Sequence, residues 1–242
     1  MNPDWIVPDW PAPARVRALV TTRSGGVSAP PYDSFNLGAH VGDEPAAVIE
    51  NRRRLRSVLP AEPLWLTQVH GTRVVSAEQA GAELTADACV ARSPGRICAV
   101  QSADCLPLLL CAADGSAVAA AHAGWRGLAA GVLEQTVTAM AVAPKELIAW
   151  LGPAIGPAAF EVGAEVREIF CGHDPAAAAA FAANDRGRWQ CDLAALARQR
   201  LARAGVARVF GGGLCTYADP LHFYSYRRDG VTGRMASLVW LA

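Results

Sequence analysis

Residues 97–127 read ICAVQSADCLPLLLCAADGSAVAAAHAGWRG. Three short apolar runs, at 97–101, 106–111 and 117–122, are separated by the polar break SAD and by the dipeptide Asp114-Gly115. Apolar runs of this length, bounded by turn residues, are typical of buried strands, and Asp-Gly is a strong hairpin signal. The stretch therefore predicts a strand, a polar turn and then an antiparallel hairpin.

The rest of the chain continues this mixture of strands and helices. Apolar runs predict further strands at 16–22, 64–69, 147–151, 206–210 and 236–240. Helical patterning predicts helices at 45–59, 128–140, 162–170 and 193–203, the last with Asp192 as its N-cap and Gly205 after its end. Because the two kinds of element do not alternate regularly, we expect a mixed α/β (α+β) fold in a single domain over residues 1–242, and neither a barrel nor a Rossmann fold.

The composition excludes several classes of protein. The chain has 242 residues, with 22 basic and 22 acidic side chains. Nucleic-acid binders and polybasic membrane-surface proteins carry a basic excess, so neither a nucleic acid nor a membrane is an expected partner. The apolar runs are shorter than the roughly 20 residues of a membrane-spanning helix, and the first residues do not predict a secretory signal. Seven cysteines without a CxxC pair do not indicate a disulfide framework, so a cytoplasmic location is expected.

Three side chains that can bind a metal stand at the ends of apolar runs. They are His70 in WLTQVHG, Cys105 in SADC and His122 in AAAHAGWRG. Two imidazoles and one thiolate form a suitable three-ligand set for zinc, and they leave a position open at which water is activated. Considered singly, each histidine is more often a hydrogen-bonded core residue and Cys105 a buried thiol. The spacing alone matches no compact zinc-finger pattern.

Each of several other polar residues can be interpreted either as a site residue or as an ordinary structural or surface residue. Arg23 in TTRSGG stands beside glycines and could hold a phosphate or carboxylate, or could be a solvated loop residue, and Arg126 in GWRG has the same alternatives. Asp87 and Asp104 could orient the imidazoles or could form turns. His40 in NLGAHVGD is a site residue in one reading and a surface histidine in the other.

The motifs occur together and in one order. They are TTRSGGVS, FNLGAHVGD, ENRRRL, WLTQVHG, ADAC, SADCLPLLL, AAAHAGWRG, LGPAIGP and FYSYRRDG. In this combination the chain closely resembles the YfiH-like family, historically labelled laccase-domain or polyphenol oxidase proteins, from about residue 18 to the last residue. The resemblance implies layered mixed sheets flanked by helices. It also implies a zinc (or copper) site formed by His70, Cys105 and His122.

The resemblance further implies an activity. Members similar to this chain are multifunctional purine nucleoside enzymes, which phosphorolyse adenosine, inosine and S-methyl-5′-thioadenosine and deaminate adenosine. The expected partners are therefore a small nucleoside and phosphate, and both a monomer and a homodimer are compatible with the sequence. The expected catalytic residues are Cys105, His122 and Arg23. The expected substrate contacts within the motifs are Arg23, Asn36, Gln68, Asp104 and Arg126.

Three alternatives remain open at the level of sequence. A cysteine hydrolase or amidase would use Cys105 as nucleophile and His122 as its base, for example in editing peptidoglycan precursors. A laccase is disfavoured, because a multicopper cluster needs HxH pairs and the chain has five histidines and no HxH. A non-catalytic interaction module would leave the glycine-flanked histidines and cysteine without a role.

Overall fold

The computed structural model describes residue 2, residues 4–79 and residues 84–242, which contain thirteen strands and six helices. The strands are β1 (Val16–Val20), β2 (Pro63–Leu64), β3 (Val74–Ser76), β4 (Ala88–Ala91), β5 (Ile97–Ser102), β6 (Leu106–Ala112), β7 (Val118–Ala123), β8 (Leu147–Leu151), β9 (Glu161–Val162), β10 (Phe181–Ala183), β11 (Trp189–Cys191), β12 (Arg208–Gly211) and β13 (Met235–Leu241). The helices are α1 (Pro45–Arg56), α2 (Trp125–Ala130), α3 (Val132–Met140), α4 (Ala164–His173), α5 (Leu193–Arg203) and α6 (Tyr226–Asp229).

The strands form two large sheets and one small sheet. The six-stranded sheet has the order β12-β8-β6-β7-β4-β3, and the four-stranded sheet has the order β1-β13-β5-β2. The small sheet has the order β10-β11-β9. Three pairs are parallel, β12 with β8, β3 with β4 and β2 with β5, and the other pairs are antiparallel. The mixed α/β fold predicted from the sequence is therefore confirmed.

The two large sheets pack face to face, and helices cover their outer faces. Side chains alternate between the faces of a strand, and β6 illustrates the result. Leu108 and Leu110 point to the core that the six-stranded sheet shares with α2–α5, whereas Leu109 and Cys111 point to the core between the sheets. On the other side, α1 packs on the four-stranded sheet through Leu55. The layers therefore run helix, sheet, sheet, helices.

Local sequence signals account for most of these elements. The hairpin β6–β7 forms as predicted, and Asp192 caps α5 by accepting a hydrogen bond from the backbone N–H of Ala195 at 2.9 Å. Three predictions were wrong in detail. The helix predicted at 162–170 begins only at Ala164, because Glu161–Val162 form β9. The helix predicted at 128–140 is divided into α2 and α3 at Gly131, whose φ of 103° is incompatible with a continuous helix. The strand predicted at 64–69 pairs with β5 only over Pro63–Leu64.

The turn between β5 and β6 lies at one end of both large sheets. Asp104 stands in it with a φ of 92°, so the chain leaves the four-stranded sheet at Ser102 and enters the six-stranded sheet at Leu106. The neighbouring strand β7 ends at the same edge, because its His122 pairs with Pro107. No helix among the described residues is long and apolar enough to cross a membrane.

Candidate metal centre and substrate cavity

The three predicted metal ligands meet at this edge. His70 follows β2 in a loop with a φ of 60°, Cys105 lies in the turn before β6, and His122 lies in β7. Their ligand atoms all lie within 4.8 Å of one another, and the Cys105 Sγ is 3.6 Å from the His70 Nε2. The structure thus brings together residues that are 35 and 17 positions apart in the sequence.

Asp87 holds two of the ligands in place. Its carboxylate is fully buried and accepts hydrogen bonds from the backbone N–H groups of Val69, His70 and Gly71 at 3.1, 2.9 and 2.7 Å. It also lies 2.9 Å from the Nδ1 of His122. Because a carboxylate only accepts, Nδ1 carries the proton and Nε2 remains for a ligand. Burial opposes the charge of Asp87, but the hydrogen bonds from His122 and Gly71 lower its pKa.

The spacing of the Cys105 and His70 donor atoms fits a zinc ion. With Zn–S of about 2.3 Å and Zn–N of about 2.1 Å, tetrahedral coordination sets an S···N separation of about 3.6 Å, which agrees with the distance between Cys105 and His70. Gly124 leaves room beside these atoms. A Cβ there would lie 2.7 Å from the Cδ2 of His70 and 2.9 Å from the Sγ of Cys105. The donor set is that of a three-ligand zinc site, and copper accepts the same ligands.

Cys105 and His122 change each other's pKa. Burial alone raises the pKa of the Cys105 thiol, but the charge of His122 and hydrogen bonds with His122 and His70 lower it to about 6. Burial likewise lowers the pKa of His122, whereas the charge of Cys105 and the hydrogen bond to Asp87 raise it to about 9. The thiolate is the form that binds metals and the form that acts as a nucleophile.

A cavity of about 560 Å³ opens beside the three ligands. This volume is in the range of small-molecule sites. Three aromatic side chains, Trp125, Phe160 and Tyr226, line it together with Ile155. Their flat apolar faces can pack against a planar ring. The cavity therefore combines apolar walls with the metal-ligating group in its lining.

The cavity also has an excess of positive charge. Arg126, Arg227 and Arg234 line it, whereas Asp104 is the one carboxylate in its described lining. Both oxygens of Asp104 are in use, since it accepts from the Oγ1 of Thr216 at 2.6 Å and from the backbone N–H of Arg227 at 2.7 Å. An anionic ligand would balance these charges.

Arg234 is a partly buried arginine of the cavity lining, and among the described residues its side-chain hydrogen bonds go only to backbone carbonyls. Its Nη1 donates to the backbone carbonyls of Thr232 and Gly233 at 2.9 and 3.0 Å. No described carboxylate forms an ion pair with it. Burial lowers its pKa, although a guanidinium keeps its charge at neutral pH. Buried charges are normally paired, so Arg234 is the strongest candidate for an anion contact.

Arg23, predicted to contact phosphate, lies outside the cavity. Its Nε donates to the carbonyl of Asp33 at 2.9 Å, its Nη1 donates to the carbonyl of Pro220 at 3.1 Å, and its Nη2 lies 3.2 Å from the Asp33 carboxylate. The guanidinium also lies over the Tyr224 ring at 4.9 Å. The structure therefore does not bring Arg23 to the site, because its donors connect an N-terminal loop to the C-terminal part of the chain.

Of the other predicted substrate contacts, some line the cavity and some only hold neighbouring protein groups in place. Asn36 is fully buried outside the cavity lining, and its Oδ1 accepts from the backbone N–H of Arg234 at 2.8 Å. Gln68 and Asp104 line the cavity, but protein partners occupy both polar atoms of each side chain. Arg126 lines the cavity, is exposed and stacks on Trp125 at 4.4 Å.

Several lining residues were not predicted as substrate contacts, among them His40, Gln101 and Arg234. The sequence allows His40 of the NLGAHVGD motif to be either a site residue or a surface histidine, and the structure places it in the cavity lining. Gln101 stands immediately before SADC, and its position close to the candidate ligand Cys105 is the sequence feature that could have indicated a site residue. Arg234 lies in no recognised motif, and only the fold brings it to the site.

Comparison with known proteins gives similarities over nearly the whole chain. A family model described as Multi-copper polyphenol oxidoreductase laccase matches residues 17–242. Purine nucleoside phosphorylase PA4543 of Pseudomonas aeruginosa is 59% identical over 238 residues, which cover 98% of each chain. Purine nucleoside phosphorylase YfiH of Escherichia coli is 56% identical over 239 residues, with the same coverage. All three ligand positions fall within the matched region.

Solved structures share the same fold. Neisseria meningitidis protein NMB0706 is 53% identical, with a TM-score of 0.95 over 98% of this chain and 99% of that chain. YlmD from Geobacillus stearothermophilus is 30% identical, with a TM-score of 0.90 over 100% of this chain and 97% of that chain. The layered arrangement is therefore retained at moderate as well as high identity.

Proposed function

Because this chain belongs to the YfiH-like family, we propose that it is a purine nucleoside phosphorylase acting on adenosine, inosine and S-methyl-5′-thioadenosine. The products are the free base and ribose 1-phosphate or its methylthio form. The observation that carries the proposal is one cavity that holds both a metal-ligating group and the unpaired guanidinium of Arg234. The names of the relatives support the same reaction class.

Phosphorolysis requires a phosphate dianion next to the anomeric carbon of the ribose. Arg234 holds this phosphate by charge-assisted hydrogen bonds, and Arg126 and Arg227 add positive charge. A phosphate oxygen bonds to C1′ while the bond from C1′ to N9 breaks. The purine leaves with the electron pair of that bond and takes up a proton. Holding the reactants in contact supplies much of the rate enhancement.

The aromatic wall receives the base. Trp125, Phe160 and Tyr226 offer flat surfaces against which a purine can stack, and Ile155 closes the apolar side. Apolar walls also exclude water from the reacting carbon, and this favours transfer to phosphate over hydrolysis.

His70, Cys105 and His122 hold the metal, with zinc as the expected ion and copper as the alternative. When bound, zinc supplies a Lewis acid and an activated water, which is the chemistry that deamination of adenosine at C6 requires. On this ground we include adenosine deamination in the proposal. Asp87 fixes the tautomer of His122 and the backbone of His70, so the imidazoles keep their orientation.

His40 is our candidate for proton transfer. It lines the cavity, where burial and then the positive charges of Arg234, Arg52 and His122 lower its pKa. It is therefore neutral at neutral pH and able to accept a proton. Asp104 cannot take this part readily, because its oxygens already accept hydrogen bonds.

The test is a product assay. Purified protein is incubated with adenosine or inosine, with and without phosphate, and products are identified by mass spectrometry. We expect phosphate-dependent adenine or hypoxanthine with ribose 1-phosphate, and inosine from adenosine. Activity should be lost in His70→Ala and Cys105→Ala but kept in His173→Ala, at an exposed position of α4. Absence of all these products, or full activity in both ligand variants, overturns the proposal.

Metal content separates the proposal from a cysteine hydrolase. A hydrolase needs a free Cys105 thiolate next to the His122 imidazole, whereas a stoichiometric ion occupies the sulfur. A covalent adduct on Cys105 in metal-loaded protein would favour the hydrolase. We do not propose a laccase reaction, because the chain has five histidines and the described residues bring together one group of two histidines and a cysteine.

A further inference from the structure

Gln101 is a buried polar side chain without a hydrogen-bond partner, and it lines the substrate cavity. The residue is only 5% exposed, and its Oε1 is buried without a partner in the described part of the protein. The side-chain nitrogen likewise has no hydrogen bond to a described residue. Buried amides are normally satisfied by protein, by water or by a ligand. The amide of Gln101 is therefore available to a bound molecule.

The neighbouring amide of Gln68 has no such freedom. Its Nε2 donates to the backbone carbonyl of Gln101 at 2.8 Å, and its Oε1 accepts from the backbone N–H of Gln101 at 2.7 Å. These two bonds hold the backbone of Gln101 at the end of β5 and leave only its side chain uncommitted. Gln68, predicted from the sequence as a substrate contact, is thus a positioning residue for Gln101.

Gln101 also lies close to the proposed phosphate contact. In the four-stranded sheet, β13 pairs with β5 so that Ala236 stands opposite Gln101. Arg234 is two residues before Ala236, and both Arg234 and Gln101 line the cavity. A nucleoside carries its base directly on the carbon that phosphate attacks. A base contact at Gln101 is therefore compatible with a phosphate contact at Arg234.

We propose that Gln101 determines base specificity by pairing with positions 1 and 6 of the purine, an inference that rests on the proposed function. An amide presents a donor and an acceptor side by side. Adenosine presents an N6–H donor beside the N1 acceptor, and inosine presents the O6 acceptor beside an N1–H donor. Rotation of the amide by half a turn exchanges its oxygen and nitrogen, so one side chain pairs with both bases.

The experiment compares three nucleosides and three proteins. Steady-state phosphorolysis of adenosine, inosine and purine riboside, which has no substituent at C6, is measured for the wild type, Gln101→Met and Gln135→Met. Methionine matches the length of glutamine without its hydrogen bonds. Gln135 is exposed on α3 and serves as the matched control. Thermal unfolding of each protein is recorded alongside.

We expect Gln101→Met to lower kcat/KM for adenosine and inosine about 10- to 100-fold, and for purine riboside less than about fivefold. The thermal midpoint should not fall, because the replaced amide has no partner in the protein. The wild type should prefer adenosine and inosine to purine riboside. This measurement tests the proposal without the variant, so it remains informative even if the variant does not fold. Equal losses for all three nucleosides, or no wild-type preference, overturn the role of Gln101 while the proposed function stands. A wild type that cleaves no purine nucleoside overturns both.

Discussion

The Nδ1 of His122 lies 2.9 Å from the Oδ1 of Asp87, and the same carboxylate accepts the backbone N–H of His70 at 2.9 Å. One fully buried side chain therefore orients two of the three metal ligands. Such outer contacts fix the tautomer of a ligating histidine and increase its basicity. A metal bound by His70, Cys105 and His122 would therefore depend on this carboxylate as well as on the donor atoms.

Replacing Asp87 with asparagine should weaken metal binding. The Oδ1 of Asp87 accepts hydrogen bonds from His70 and His122, and the Oδ2 accepts from Val69 and Gly71. In either orientation, the NH₂ group of asparagine would therefore face two hydrogen-bond donors. We expect metal affinity to fall about 10- to 100-fold and the free energy of unfolding to fall by about 1–3 kcal/mol. Competition with a chromophoric chelator and chemical denaturation measure the two effects.

The matched control for this variant is Asp114→Asn. Asp114 lies in the exposed turn between β6 and β7, where its carboxylate accepts from the backbone N–H of Ser116 at 2.9 Å. Its replacement should leave the metal affinity unchanged. Equal metal affinity in Asp87→Asn and in the wild type would show that the carboxylate does not support the centre.

Gly124→Ala should remove the metal without removing the fold. The added Cβ would lie 2.7 Å from the Cδ2 of His70 and 2.9 Å from the Sγ of Cys105, so one ligand must move. We expect a loss of at least about tenfold in metal affinity and a destabilisation of about 1–3 kcal/mol. In the control Gly172→Ala, the new Cβ meets nothing within 4 Å beyond its chain neighbours and the backbone of its own helix, so metal content should be unchanged and stability about 0.5–1 kcal/mol higher. Stoichiometric metal in Gly124→Ala would contradict the assignment.

Arg234→Gln and Arg23→Gln should separate phosphate binding from structural support. Arg234 lines the cavity without a carboxylate partner, so its loss should raise the KM for phosphate about 10- to 100-fold with a smaller effect on the KM for nucleoside. Arg23 contacts Asp33 and Pro220 instead, so its loss should lower the thermal midpoint and leave the KM for phosphate near the wild-type value. A raised KM for phosphate in Arg23→Gln but not in Arg234→Gln would show that Arg23 is the phosphate contact.

Alkylation should report the lowered pKa of Cys105. In chelator-treated protein, the thiolate persists down to about pH 6, so the rate of iodoacetamide modification should fall as the pH decreases through that value. Cys111 should stay unmodified, because it is fully buried and burial raises the pKa of its thiol to about 12. Peptide mass spectrometry follows each site. Added zinc should protect Cys105, and modification at an unchanged rate would exclude zinc binding to the sulfur.

Much of the fold was predictable because its signals are local. The apolar run at Leu147–Leu151 and the capped helix at Leu193–Arg203 have the predicted bounds. The division of the predicted helix 128–140 was missed, because glycine permits but does not require the φ of 103° found at Gly131. Strand β4 was not predicted either, since its role depends on pairing with β3 and β7.

The sequence predicts the candidate metal ligands of the site better than the residues that could contact a substrate. His70, Cys105 and His122 each carry a distinctive motif, and the structure brings them together. Arg234 and Gln101 depend on the strand register and on buried hydrogen bonds, which leave no local pattern. Arg23 shows the opposite error: it stands in a distinctive motif, yet its guanidinium bonds to Pro220, 197 residues away.

The wide separation of the three ligands has a consequence for the stability of the protein. All seven cysteines are free thiols, so no disulfide joins distant parts of the chain. An ion shared by His70, Cys105 and His122 would join ligands that are 35 and 17 residues apart, and it would stabilise the folded state because the unfolded chain does not hold the three ligands together. Metal starvation would then reduce resistance to heat and proteolysis together with catalysis, and the abundance of the protein would follow the metal supply of the cell.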